Sequence, residues 1–280
     1  MTHSERITSP SNPRVRGAAR LREADARRES GLTLVDGRRE LSRAFAAGIE
    51  VVDIFLDGDS GDDAEREPWL DDCAARGARV VEVPRNVFEK IAFGSRNEGL
   101  VGVVRFAAQP LDGFRAAAGR PVLVAEGVEK PGNLGAILRT ADAAGIAGVI
   151  ACGPGTDPAN PACIRASLGA VFSVPLAVAT SEAAIDWCHD QRRRVMAAVP
   201  DGDTLWHEST LSGDTAIVLG SEAHGLSTLW REAAAAGRIS LHTVRLPMLG
   251  ITDSLNVSVT AAILSYEALR QGTHRSPETP

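Results

Sequence analysis

Between residues 121 and 246, short apolar runs alternate with stretches of helical spacing, and this alternation limits the available folds more than any other feature. Runs at Pro121–Val128, Gly148–Gly153, Val195–Val199 and Thr215–Gly220 are apolar, and Val171–Val178 mixes apolar and polar residues. A strand with one face in water alternates polar and apolar residues. A run that stays apolar is a strand buried on both faces, as in a parallel sheet covered by helices. The spacing predicts helices near 133–144, 160–168, 181–193 and 225–236, then a last strand near 239–246 and a helix over 254–271.

The first hundred residues repeat the pattern more loosely. An arginine-rich helix over 12–28 leads to a strand at Leu32–Val35, a helix over 38–47 and a strand at Val51–Leu56. An acidic loop around 58–68, a helix ending at Arg76, a strand at Arg79–Val83, a short helix after Pro84 and a strand at Leu100–Phe106 follow. Residues 107–120 carry no strand signal and read as a linker. The expected organisation is an N-terminal α/β/α domain over 1–106, a linker, a larger α/β domain over 121–272 and a tail at 273–280.

Composition narrows the function classes. Cys73, Cys152, Cys163 and Cys188 are widely spaced with no Cys-x-x-Cys pair, which argues against a disulfide framework or a zinc ribbon and favours a reducing cytoplasm. No metal site is expected. No apolar stretch approaches the roughly 20 residues of a membrane span, and the N-terminus lacks the apolar core of a secretory signal. The net charge of −6 hides an asymmetry. Residues 1–43 hold ten arginines against six acids, whereas 57–72 hold eight acids against Arg66. A basic surface on an acidic protein still attracts phosphate, because salt confines each field to about 10 Å. Arg14, Arg16, Arg20 and Arg38 are the candidate phosphate contacts, with a solvated helix face as the plainer alternative.

Ligands of open α/β sheets sit outside the carboxyl ends of the strands, so the segments after the strands matter most. The first, after 121–125, runs through Asn133 into a helix with Leu134, Ile137, Leu138, Ala141 and Ala144 on one face and Arg139 off it. Asn133 is expected as that helix's N-cap. The second, Val218–Ser227, sets Glu222 between Gly220 and Gly225, which permit close backbone approach. In the third, Leu246–Val259, Ser254 is expected to cap a helix whose start is apolar nearly all round and should be buried, so Asn256 and Ser258 would need partners. Each segment alone also fits a purely structural turn.

Taken in order, NLGAILRTADAAG at 133–145, VLGSEAHGLS at 218–227 and LPMLGITDSLNVSVTAAILSYEALR at 246–270 resemble the SpoU/TrmH family of RNA 2′-O-methyltransferases, of the SPOUT superfamily. The resemblance covers about 150 residues. ITSPSNPRVRGAARL at 7–21 and LVDGRREL at 34–41 are more loosely similar to the substrate-binding domain that many rRNA-modifying members carry. One departure is Ala223, where the family usually has glycine after Asn-Glu.

The resemblance implies a trefoil-knotted C-terminal domain, a homodimer without membrane attachment, and S-adenosylmethionine as cofactor, held by Leu219, Gly220, Ser221, Gly225, Leu246, Met248, Ser254 and Leu255. It implies a catalytic set of Arg139, Asn133, Glu222, Ser254 and Asn256, with Arg139 also touching RNA and working near the partner's cofactor. An arginine pKa above 12 makes Arg139 better suited to binding phosphate and developing oxyanion charge than to taking a proton. His224, tempting as a base, sits at a variable position. Ribosomal RNA is the expected substrate and transfer RNA the alternative. A nicotinamide-dependent oxidoreductase is disfavoured, since Gly153-Pro154-Gly155 lacks the third glycine of a dinucleotide turn. A decayed RNA-binding module is disfavoured because Arg139, Ser254 and Asn256 are all present.

Overall fold

The computed structural model describes residues 5–60, 66–93 and 98–273. Asp62, Asp63 and Glu65 of the acidic stretch and the tail beyond Thr273 lie outside the described residues. The chain divides into two compact units, Met1–Ala107 with Asp157–Ser173, and Ala108–Thr156 with Val174–Pro280.

The first unit runs β1 (Glu5–Arg6), α1 (Pro13–Arg20), α2 (Ala24–Ser30), β2 (Leu32–Asp36), α3 (Arg38–Ala46), β3 (Val51–Asp57), α4 (Arg66–Ala75), β4 (Arg79–Val83), α5 (Arg85–Ile91) and β5 (Leu100–Arg105). Its sheet has the order β1-β4-β3-β5-β2, with β4 parallel to β1 and β3, and β5 antiparallel to β3 and β2. The helix expected over 12–28 is two helices. Pro13 at the first position and Asn12, whose side chain accepts from Arg14 N at 2.9 Å, start α1. Buried Arg27 then donates Nη1 to the carbonyls of Leu21 and Arg22 at 3.0 and 2.9 Å, taking acceptors that a continuous helix would use.

Helices cover both faces of this sheet. Val15, Ala18 and Leu21 of the α1 region and Val87, Phe88 and Ile91 of α5 pack with Leu34, Phe55, Val81, Val101 and Val103. Gly102 points the other way, and a methyl group there would lie 2.2 Å from Leu41 Cδ2 of α3. Side chains alternate across a strand, so α3 lies on the face opposite α1 and α5.

Asp157–Ser173 packs in this first unit, whereas the sequence pattern groups the helix expected over 160–168 with the second domain. Arg27 Nε donates to Asp157 Oδ2 at 3.0 Å, Thr33 Oγ1 to Ala159 O at 2.6 Å, Arg43 Nη1 to Leu168 O at 2.8 Å and Arg165 Nη1 to Asp36 Oδ2 at 3.2 Å.

The second unit is built from β6 (Gln109–Pro110), β7 (Val122–Glu126), α6 (Pro131–Ala144), β8 (Val149–Cys152), β9 (Leu176–Ala179), α8 (Ser181–Asp190), β10 (Arg194–Ala198), β11 (Thr204–Leu205), β12 (Thr215–Leu219), α9 (Thr228–Ala235), β13 (Leu241–Arg245) and α10 (Val257–Thr273), α7 being Pro161–Ala166 of the first unit. The strands form one sheet, β11-β13-β10-β12-β7-β8-β9-β6, with all neighbouring pairs parallel. β7, β12 and β10 are buried almost throughout, as continuous apolar runs require. The expected strand over 171–178 begins only at Leu176, because Ala170–Phe172 forms a 3₁₀ turn after Leu168 and Gly169, both at positive φ. From β7 the chain builds outward to β8 and β9, then returns to the other side of β7 for β10, β12 and β13. That reversal at β7/β12 is where an open parallel sheet leaves a crevice at its carboxyl edge.

Burial pushes the Asp36 carboxyl up from 3.8 to about 6 against the opposing pull of Arg165, with Glu98 and Glu40 adding to the rise. The folded state therefore holds this proton more tightly than the unfolded chain does. Stability from this group is greatest at the acid end and falls as the pH rises from about 3.8 to about 6. Asp36→Asn should flatten that part of the stability profile in denaturant melts between about pH 4 and about pH 7. Parallel profiles for the two proteins would contradict the assignment.

Candidate active site

The site forms at that carboxyl edge, where the ends of β10, β12 and β13 and the start of α10 enclose a cavity of about 380 Å³. All eight expected cofactor residues line it: Leu219, Gly220, Ser221, Gly225, Leu246, Met248, Ser254 and Leu255. Ala198, the last residue of β10, and Val199 and Pro200 after it also line the cavity and were not expected there. The rule that ligands sit beyond strand ends applied to that run equally, but no polar side chain drew attention to it. Val244, Val257, Thr260 and Leu264 add further wall.

The loop after β12 folds back on itself. Ser221 and Gly225 exchange two backbone bonds of 2.9 Å, and Ser221 Oγ accepts from the amides of Ala223 and His224 at 3.2 Å. Gly220 is required by contact: a methyl group there would sit 2.4 Å from the Gly225 carbonyl carbon and 2.5 Å from Leu226 N. Gly225 has φ +69°, whereas Ala223 is not among the residues at positive φ. The departure at Ala223 therefore costs no backbone strain.

Pinned in this way, the loop projects Glu222 toward the other two segments. Asn133 Nδ2 donates to Glu222 Oε1, and Asn256 Nδ2 donates to Asn133 Oδ1 at 3.2 Å. Asn256 Oδ1 in turn accepts from Ser258 N at 2.9 Å and Ser258 Oγ at 2.7 Å. One residue from each segment thus joins a single chain of side-chain bonds. Neither Asn133 nor Ser254 is the helix cap expected of it. α6 begins at Pro131, with Lys130 as its cap residue and no side-chain cap bond, so Asn133 lies inside the first turn with its amide free to bridge. Asn256, not Ser254, caps α10, while Ser254 lines the cavity.

The start of α10 is also less buried than expected. Leu255 and Val259 are 38% and 45% exposed, and Tyr266 and Leu269 continue an exposed apolar row down the helix. Arg139 stands on the exposed side of α6 and makes no hydrogen bond or ion pair among the described residues. It lies about 9 Å along the axis from Asn133 and a third of a turn round. The fold therefore brings Asn133, Glu222 and Asn256 together and leaves Arg139 facing outward.

The four N-terminal arginines do not share a surface. Arg16 and Arg20 are exposed one turn apart on α1, where Arg14 pairs with Glu5 at 2.8 Å. Arg38 lies on α3, across the sheet, with its guanidinium 5.9 Å over the Trp69 ring.

The cavity suits a nucleoside-bearing cofactor. Its walls are apolar at Leu219, Leu246, Met248, Leu255, Val257 and Leu264. Along the loop from Leu246 to Asn256, no backbone N–H is bonded to another backbone group among the described residues. Apolar faces beside open backbone donors and acceptors match the flat faces and polar edge of a purine. No group of three or more histidine, cysteine or acidic residues suited to a metal occurs among the described residues.

Fold and site together define an α/β protein with a nucleoside-type pocket at the carboxyl edge of a parallel sheet. Residues 120–266 match the SpoU rRNA Methylase family, and residues 12–102 match the MRM3-like substrate binding domain. A 23S rRNA (adenosine(1067)-2′-O)-methyltransferase of Streptomyces azureus is 31% identical over 273 residues, covering 96% of this chain and 97% of the relative. A crystal structure of an RNA 2′-O ribose methyltransferase superposes with TM-score 0.80 at 38% identity, covering 95% of this chain and 98% of that one. An AdoMet-bound rRNA methyltransferase from Sinorhizobium meliloti gives TM-score 0.82 at 28% identity, covering 96% and 99%. The chain belongs to the SpoU rRNA methylase family.

Gly220→Ala should force the two arms of the loop apart at a cost of roughly 1–3 kcal/mol, read as a lower midpoint in denaturant. An unchanged midpoint would mean that the arms do not touch as described.

Proposed function

We propose that this protein methylates a ribose 2′-hydroxyl of ribosomal RNA with S-adenosylmethionine as donor. The observation that carries this is the meeting of Asn133, Glu222 and Asn256 beside a cavity lined by all eight expected cofactor residues. Bound there, S-adenosylmethionine supplies an electrophilic sulfonium methyl group. The residues holding it would be Leu219, Gly220, Ser221, Gly225, Leu246, Met248, Ser254 and Leu255, chiefly through apolar walls and backbone groups.

The protein's part in the reaction is mostly positioning, since displacement at a methyl carbon needs the ribose oxygen held in line. Glu222, fixed by Asn133, faces the site with a carboxylate that accepts hydrogen bonds from sugar hydroxyls. Arg139 binds the phosphate next to the target and steadies charge developing on the ribose oxygen. Because Arg139 faces outward in its own subunit, it serves a partner's site in a homodimer. The exposed row Val259, Tyr266 and Leu269 on α10, which packs beside α6, gives that dimer an apolar contact surface.

Ribosomal rather than transfer RNA fits the match of the N-terminal residues to a substrate-binding domain and of nearly the whole chain to a 23S rRNA enzyme. Arg16 and Arg20 on α1 are the RNA contacts best placed, with Arg14 and Arg38 secondary. The family also brings a trefoil knot to the C-terminal chain. No described helix is long and apolar enough to cross a membrane, and all four cysteines are unpaired and buried. Free thiols suit a reducing cytoplasm.

Purified protein should transfer labelled methyl from S-adenosylmethionine to ribosomal RNA, and nucleoside digestion should locate the label on ribose. Label on a base, or none, would refute the reading. Arg139→Ala should cut transfer by at least about 100-fold, as for loss of an oxyanion-stabilising donor, while cofactor affinity holds. Unchanged turnover would remove Arg139 from the reaction. Arg16→Ala with Arg20→Ala should weaken RNA binding and lower the slope of log affinity against log salt by about 0.7–0.9 for each phosphate that is no longer neutralised. An unaltered slope would assign those arginines to solvent alone.

A further inference from the structure

Glu126 ends β7 and is 5% exposed, yet no cation among the described residues pairs with it. A carboxylate stripped of water is costly unless neighbouring donors replace its hydration. Four do. Oε1 accepts from Ser181 Oγ at 2.5 Å, Ser227 Oγ at 2.9 Å and Trp230 Nε1 at 3.1 Å, and Oε2 accepts from Ser227 N at 2.8 Å. Ser181 opens α8 and Ser227 is the cap residue of α9, so both helices turn the positive ends of their dipoles toward this charge. Ser227 spends its hydroxyl on Glu126 rather than on the free amides of its own helix.

What these bonds hold is the far end of the 220–227 loop. A second cavity of about 500 Å³, lined by Glu126, Thr180 and His224 among others, lies on the other side of that loop from the first. Ser221 and Gly225 line both cavities, so the loop is a thin wall with open space on each side. Leu226 of the loop packs against the core and Ser221 lies close to Gly127, and bonds at the two ends complete the loop's support. The near end is closed by the paired Ser221–Gly225 backbone bonds, and the far end is held by Ser227 and Trp230 bonded to Glu126.

We propose that Glu126 is a positioning residue for methyl transfer, anchoring the Gly220–Ser227 loop so that its inner side shapes the donor cavity and Glu222 reaches Asn133. The proposal rests on the reading of that cavity as the S-adenosylmethionine site. Replacing the carboxylate by an amide turns one acceptor into a donor that confronts Ser227 N–H, leaving buried donors unpaired.

The test compares Glu126→Gln, Ser227→Ala and Ser181→Ala in the full-length protein. Ser227→Ala removes the hydroxyl's bond from the loop to Glu126 and keeps the backbone N–H bond, so it weakens the anchor, whereas Ser181→Ala breaks a bond to the same carboxylate from α8 and spares the loop. Hydrogen exchange over residues 219–227, without cofactor, should quicken in Glu126→Gln and Ser227→Ala and stay at the wild-type rate in Ser181→Ala. The dissociation constant and KM for S-adenosylmethionine should rise about 10-fold in the first two with a smaller change in kcat, and stay within about twofold in the third. Equal effects of Ser181→Ala and Ser227→Ala, or wild-type exchange in Ser227→Ala, would overturn the proposal. Should Glu126→Gln fail to fold, the two serine variants still decide it. Wild-type protein that binds no S-adenosylmethionine would overturn the functional reading instead, while the exchange comparison would still decide the anchor.

Discussion

The bonds from Glu222 to Asn133 and from Asn133 to Asn256 tie together three strand-end segments that lie 89 and 123 residues apart in sequence. An amide is suited to the middle position because it offers a donor and an acceptor pointing in different directions. Asn133 gives its N–H to the carboxylate and its carbonyl to the next amide. Asn256 spends its own carbonyl on the first turn of α10, so the start of that helix and the loop after β12 share one hydrogen-bonded frame. Such a frame exists only where the parallel sheet brings the ends of β7, β12 and β13 to one edge. Local turns, helix caps and site geometry are here one set of contacts.

The frame explains why glycine is needed at 220 but not at 223. The loop must close on itself before Glu222 can be presented, and closure brings backbone against backbone at Gly220. Ala223 lies in the outer part of the turn, away from positive φ, where a methyl group costs nothing. Arg139 stands outside the frame. Its side chain is exposed on the surface of α6 and bonds to none of the three segments.

Much of this was legible in the residues. The buried strands of the second unit announce themselves as unbroken apolar runs, and the three segments after them carry every residue of the bonded frame. The positions of caps were not. Ser254, Asn256 and Ser258 are all capable of starting α10, and only the folded chain shows Asn256 in that place, its Oδ1 accepting from Ser258 N. Pro131, a residue favoured in the first turn of a helix, was the local sign that α6 begins before Asn133. The placement of 157–173 with the first unit depends on Arg27, Thr33 and Asp36 meeting residues more than 120 positions away, which no window of sequence contains. Arg14, Arg16, Arg20 and Arg38 read as one basic cluster along the chain, but Leu41 packing on Gly102 puts α3 on the far side of the sheet from α1. Glu126 was hidden by its setting, a single acid closing an apolar strand. Its meaning comes from four donors brought in from α8 and α9.

Catalysis depends on the three segments acting as one unit, and a double-mutant cycle on kcat/KM with Asn133→Ala and Glu222→Ala measures that directly. Residues bonded to each other in a shared frame should be non-additive, with the double variant losing little more than the worse single one. Strictly additive losses would mean that the two side chains contribute separately, and that the bonds joining the segments do not create the site.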